Sequence, residues 1–162
     1  MAFESVEKSA VKSSKPINNK TMGDFLAKTA RSVLMSRVKS RDTSPERYVR
    51  QAVWAAGFRF RLHDGELPGT PDLVFPRYRT VVFVQGCFWH SHSCRKGKRR
   101  PATNRIFWNR KLDGNVARDS ANQARLRELG WHVFLIWECS LEQETTALLA
   151  YLVTLRTASS HS

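Results

Sequence analysis

The chain has 162 residues, 41% of them apolar, and carries 27 Lys and Arg against 14 Asp and Glu, a net charge of +13. That length suits one domain with a tail, and no run of about 18 apolar residues is present to span a membrane. The opening MAFESVEKSAVKSSKP has no apolar stretch of the secretory kind, and three cysteines are an odd number for a disulfide framework, so the expected compartment is the cytoplasm.

In chain order, residues 1–20 are rich in Ser, Lys and Asn and read as a disordered tail. Residues 22–38 space their apolar side chains as a helical arm does. TSPERYVRQAVWAAG is a clearer helix, with Ser44 as cap, Pro45 in the first turn and Gly57 at the end. Val49, Ala52, Val53 and Ala56 form its inner face, and Glu46 falls at that face in the first turn rather than in open solvent. FRFRL (58–62) alternates as a strand. TPDLVF (70–75) and TVVFVQ (80–85) form a hairpin around the turn 76–79. A cysteine–histidine cluster and a basic segment follow. A helix is expected over 115–129, a buried strand over 131–139 and a last helix over 141–156. The pattern is that of a mixed α/β domain.

The charge is unevenly distributed. Residues 1–41 hold 9 basic and 3 acidic side chains, and RKGKRRPATNRIFWNRK (95–111) holds 8 basic and none acidic. Two basic blocks on a nearly neutral remainder are the footprint of a polyanion binder, with nucleic acid the leading candidate. Lys96, Lys98, Arg99, Arg100 and Arg105 are the expected phosphate contacts. The plainer reading is a solvated basic loop and tail.

Asp72 interrupts an apolar strand, which is costly unless the carboxylate is paired or binds a cation. Pairing Phe75 with Thr80 sets Asp72 opposite Phe83, on the face shared with Gln85. A carboxylate, a Gln and strand-end carbonyls suit a hard cation. Farther along, GCFWHSHSC (86–94) gathers two cysteines and two histidines. Strands 80–85 and 131–138, joined through a helix, should run parallel and end on one edge of the sheet. Cys87, Cys94 and Cys139 then meet, and one histidine completes a zinc site of the Cys₃His type. Either His92 or His90 can be that ligand; the other is a free imidazole and a candidate general base. Phe88 and Trp89 are a core plug or a wedge.

These stretches together resemble the Vsr endonucleases, the very-short-patch mismatch repair nicking enzymes of the PD-(D/E)xK, restriction-endonuclease-like superfamily. The matching stretches are RDTSPE (41–46), LPGTPDLVF (67–75), GCFWHSHSC (86–94), PAT (101–103), FW (107–108), NVARD (115–119) and ELGWHVFLIWEC (128–139). The resemblance implies a restriction-endonuclease-like α/β core: a central mixed sheet flanked by helices, with a structural zinc site, over residues 31–158 behind a basic tail, 1–30. It implies a monomeric, Mg²⁺-dependent endonuclease that nicks duplex DNA 5′ to the T of a T:G mismatch left by 5-methylcytosine deamination. Such an enzyme acts in the bacterial cytoplasm, at the nucleoid, alongside other repair proteins. By the same resemblance Asp72 and the Val84 carbonyl hold Mg²⁺, His90 is the general base, and Glu46 is the acidic residue near the site. Cys87, His92, Cys94 and Cys139 hold Zn²⁺. Phe88, Trp89 and Trp108 wedge beside the mismatch, and Met35 presses in from the minor groove. Gln85 departs from the pattern, standing where the best-known member has a second catalytic histidine; it can orient water but cannot take its proton. Two other readings stand beside this one: a zinc-stabilised DNA-binding module without catalysis, and a restriction-like nuclease without mismatch selectivity.

Overall fold

The computed structural model describes residues 41–158. The expected tail over 1–30, the arm over 22–38 and Met35 lie outside the described residues. The first helix, α1 (Ser44–Ala55), starts at a capping box. Thr43, not Ser44, is the cap: its hydroxyl accepts from the Glu46 N–H, and the Glu46 carboxylate reaches back to the Thr43 N–H. Thr43 sits one residue before the turn that Pro45 pre-organises, which is why it, and not Ser44, is free to accept. Val49 and Val53 are fully buried on the inner face, each worth roughly 1.5–3 kcal/mol against exposure. Gly57, at φ +85°, ends the helix.

Four strands follow: β1 (Arg61–Leu62), β2 (Leu73–Phe75), β3 (Thr80–Gln85) and β4 (His132–Trp137). They lie in sheet order β1-β2-β3-β4; the first two pairings are antiparallel and β3–β4 is parallel. Phe75 pairs with Thr80 across the hairpin, as the turn length predicts. Three strands are shorter than expected, and β4 keeps only His132–Trp137 of the expected 131–139. The N–H of Phe58 bonds back to Val53 at the end of α1, which delays β1 to Arg61. Asp72 still donates its N–H to the Val82 carbonyl but turns its side chain onto the Val84 N–H, so β2 proper begins at Leu73.

The long helix α2 (Arg105–Glu128) carries the crossover from β3 to β4 and starts ten residues before the expected Asn115. Its buried side chains are Trp108, Leu112 and Leu126. So few apolar positions on an otherwise charged helix leave almost no periodicity to read. The last helix, α3 (Leu141–Ala158), buries Leu148 and Leu152. One core joins α1 and α3 to one face of the sheet through Val49, Val53, Leu73, Phe75, Val82, Ile136, Leu148 and Leu152. A smaller one packs Leu126 of α2 on Val74 and Val81 of the other face. Helices on both faces of a mixed sheet make the mixed α/β core expected from the sequence. Among the described residues no helix is long and apolar enough to cross a membrane.

Candidate functional site

The parallel register of β3 and β4 sets Gln85 beside Trp137, so both strands deliver their C-terminal residues to one edge. The residues singled out from the sequence within residues 41–158 fall into three groups.

The first group surrounds Asp72. Its Oδ2 accepts the Val84 N–H at 2.7 Å, and its Oδ1 faces His63 Nδ1 at 3.8 Å. The carboxyl is pushed up from 3.8 to about 6, mainly by burial and further by the charge of Glu46; the Val84 N–H, His63 and Arg50 oppose this. A half-buried carboxylate with so few partners for its charge suits a hard divalent cation. Glu46 is buried and fully occupied. Its Oε1 accepts from the Thr43 hydroxyl at 2.8 Å, and its Oε2 accepts from the Asp42 N–H and from Arg50, both at 2.9 Å. It acts on Asp72 through its charge.

The second group is the cysteine loop. The potential ligand atoms of Cys87, His92, Cys94 and Cys139 all lie within 4.8 Å of one another. None of the three thiols is in a disulfide, and the Cys139 Sγ is 3.4 Å from His92 Nδ1. Three thiols and one imidazole at this spacing suit tetrahedral zinc. The thiols differ. Burial and the neighbouring thiols push Cys87 up to about 12, whereas hydrogen bonding with His92, then with the Gly97 backbone, lowers Cys94 to about 6. Cys139 belongs to a short 3₁₀ turn, Glu138–Ser140, just past β4 rather than to the strand. Glu144 holds that turn by accepting from the Ser140 hydroxyl at 2.8 Å and from the Trp137 N–H. The His92 ring stacks on Trp137 with centroids 4.3 Å apart, which fixes its plane. Gly97 lets the loop close: a Cβ there would come within 2.1 Å of the His92 carbonyl oxygen.

His92 is therefore the imidazole among the thiols, and His90 turns elsewhere. His90 Nδ1 meets Asp119 Oδ2 of α2 at 2.5 Å. Both line an open cleft of about 350 Å³, with Gln85, Ser91, Ser120 and Trp137 on its walls. With Asp119 accepting from the Nδ1–H, Nε2 is left with a lone pair.

The third group is aromatic and basic. Phe88, Trp89 and Trp108 pack on one another, with ring centroids 5.1 to 6.2 Å apart. Trp108 is buried; Phe88 and Trp89 are half-buried. Lys111 lies over the Trp89 ring, and Asn115 donates to the Trp89 carbonyl at 3.0 Å. The basic residues divide by role. Lys98, Arg99 and Arg105 are exposed. Lys96 pairs with Glu138 at 3.0 Å, which ties the cysteine loop to the turn of Cys139. Arg100 donates to the Gly97 and Arg99 carbonyls and to Ser91 Oγ, stapling the same loop.

Asp119, His63, Arg50 and Gly97 were not singled out from the sequence. Asp119 lies inside the NVARD stretch, but a helical Asp has no sequence mark that pairs it with a histidine 29 residues earlier. Gly97 sits in a basic run that hides its role.

The family model described as DNA mismatch endonuclease Vsr matches residues 23–96. The type II nicking enzyme V.XorIIP of Xanthomonas oryzae is 47% identical over 120 residues, covering 74% of this chain and 88% of the relative. The type II nicking enzyme V.NmeAIP of Neisseria meningitidis is 41% identical over 123 residues, 76% of this chain and 87% of the relative. The DNA mismatch endonuclease Vsr of Escherichia coli is 44% identical over 120 residues, 74% of this chain and 76% of the relative.

Proposed function

The chain belongs to the Vsr family of DNA mismatch endonucleases, and from that footing we propose that it nicks duplex DNA 5′ to the T of a T:G mismatch, with Mg²⁺. A DNA endonuclease is a phosphodiester hydrolase. It needs a nucleophilic water, neutralisation of charge at phosphorus and help for the leaving alkoxide. The observation that carries the reading is the continuity of the β3 end. Val84 fixes Asp72, Gln85 lines the cleft, and His90 stands in that cleft on Asp119.

Asp72 and the Val84 carbonyl would hold Mg²⁺, which when bound supplies Lewis acidity at the phosphate and a more acidic water. His90 takes the proton of the attacking water at Nε2 while Asp119 holds the Nδ1 proton, a step typically worth about 10²–10⁴-fold. Gln85 orients water by hydrogen bonds and takes no proton. Glu46 keeps a fixed negative charge beside the site. Cys87, His92, Cys94 and Cys139 would hold Zn²⁺, which with no open position supplies structure alone. It anchors the loop that carries Phe88, Trp89 and His90.

Recognition divides between phosphates and the mismatch. Lys98, Arg99, Arg105 and the N-terminus of α2 meet phosphates, which orient the duplex without reading its sequence. Phe88, Trp89 and Trp108 enter the stack, and Met35 is the minor-groove contact that the resemblance implies. Unstacking costs a few kcal/mol per step and least at a mismatch, so the wedge selects a wobble pair through its deformability. The enzyme works as a monomer at the bacterial nucleoid, and its nick is handed to other repair proteins.

End-labelled duplexes carrying each mismatch in several sequence contexts, incubated with protein and Mg²⁺, test this. One nick 5′ to the T of T:G duplexes is expected. No cleavage in any context, or equal cleavage of matched and mismatched duplexes, would overturn it.

A further inference from the structure

Behind Asp72 lies a line of polar side chains to which the chemistry above gives no role. Arg50, on α1 one turn past Glu46, donates through its NH2 nitrogen to Glu46 Oε2 at 2.9 Å and through its NH1 nitrogen to Asp42 Oδ1. The same NH2 nitrogen lies 2.9 Å from His63 Nε2. A guanidinium has donors and no acceptor, so His63 Nε2 accepts with its lone pair and the proton of the neutral ring sits on Nδ1. That Nδ1 faces Asp72 Oδ1 at 3.8 Å, while Asp72 Oδ2 takes the Val84 N–H from the opposite side. All three side chains are well shielded, with 13%, 17% and 18% of Arg50, His63 and Asp72 exposed.

The backbone points the same way. Asp42 (φ +55°) and His63 (φ +47°) are both left-handed, a conformation that costs a residue with a Cβ and persists where its surroundings impose it. Both touch the same guanidinium. Asp42, Glu46 and His63 also lie close enough together to suggest a second cation site, but Arg50 already bonds to one atom of each. The Arg50 Nε–H is buried without a hydrogen-bond partner, so the fork is placed for its ends and not for its own satisfaction.

We infer that Arg50 and His63 are positioning residues for Asp72: Arg50 locks the His63 ring with Nδ1–H toward the carboxylate, which presets Asp72 for a divalent cation. This rests on the reading of Asp72 as the cation ligand.

The test is Mn²⁺ binding to the zinc-loaded full chain without DNA, followed by electron paramagnetic resonance, with melting curves to confirm folding. His63→Asn keeps an N–H near the Nδ1 position and tolerates left-handed φ. His63→Gln reaches only the Nε2 end, and His63→Leu keeps neither. Partners that orient a ligand are typically worth about 10–100-fold in metal affinity. His63→Leu and His63→Gln should therefore weaken Mn²⁺ about tenfold, with His63→Asn within about twofold of the parent. The Mg²⁺ needed for half-maximal nicking should rise by the same factor, with the rate at saturating Mg²⁺ retained. Parent-like binding in all three variants, or equal weakening in all three, would overturn the positioning role. Asp72→Ala is the separate control: if it binds Mn²⁺ as the parent does, the cation reading of Asp72 fails, and the positioning role with it.

Discussion

The Asp72 corner and the cysteine loop flank the same strand end but are held in different ways. At the corner, regular structure does the positioning: a capped helix carries Glu46 and Arg50, and a β3 amide fixes the carboxylate. The loop between Gly86 and Asn104 has no helix or strand. It is closed by turn hydrogen bonds, by Gly97, by the Lys96–Glu138 and Arg100 contacts, and by four ligand side chains converging on one point. The corner is set by folding itself and concentrates negative charge that a cation would relieve. On the proposed reading, the loop depends on a bound metal for its final shape. A catalytic metal and a structural metal thus make different demands on the chain around them.

Removing the Asp72 carboxylate is the largest test of this contrast. Asp72→Ala should lower nicking by about 10³-fold or more while the fold and the zinc content stay intact, since Lewis-acid help is worth several kcal/mol. Freshly purified protein that nicks normally as Asp72→Ala would break the corner half of the contrast. Zinc removal comes next. The parent should carry one zinc per chain by elemental analysis. Chelation or Cys87→Ser should raise hydrogen exchange across 86–104 while the β2–β3 hairpin keeps its protection. Uniform loss of protection, or no zinc at all, would contradict the assignment of the loop. Asp119→Asn should slow nicking about tenfold or more and distort its pH profile, because the His90 tautomer loses its anchor.

The corner also predicts a stability cost. The Asp72 carboxyl is raised above its ordinary value, so the folded state binds its proton more tightly than the unfolded chain does. Its contribution is therefore full below about pH 4 and is lost as pH rises through about 6. At neutral pH and without divalent cation, Asp72→Asn should stabilise the protein by roughly 1–3 kcal/mol, read from denaturant unfolding. At limiting Mg²⁺, nicking should rise with pH through about 6, because the metal-free carboxyl must ionise before it can hold the cation. Trp89→Ala is the smallest expected change, weakening binding to T:G duplexes about tenfold more than to matched ones. An equal loss on both would make the ring a core plug.

Much of this was legible in the sequence because it rests on local chemistry. TSPE marked the start of α1, alternation and turn length gave the β2–β3 register, and the crossover rule brought Cys139 to Cys87. The structure moved the cap from Ser44 to Thr43 and the start of the crossover helix from Asn115 to Arg105. The second shift arose because Trp108 and Leu112 are too few to imprint a helical period on a basic run. What the sequence concealed is pairing across distance. The Asp119–His90 and Arg50–His63 contacts join residues 29 and 13 positions apart, and neither spacing has a periodic signature. Glu46 was read as a residue of the site and is also half of a capping box, two roles that one position serves.

The central claim is that two metals divide the work: one at the carboxylate of Asp72, one among the thiols. Crystals of the zinc-loaded protein soaked in Mn²⁺, with anomalous scattering recorded at both absorption edges, test it most directly. Zinc should lie among Cys87, His92, Cys94 and Cys139, and manganese at Asp72 beside the Val84 carbonyl. Manganese absent from Asp72, or zinc found there instead of among the thiols, would contradict it.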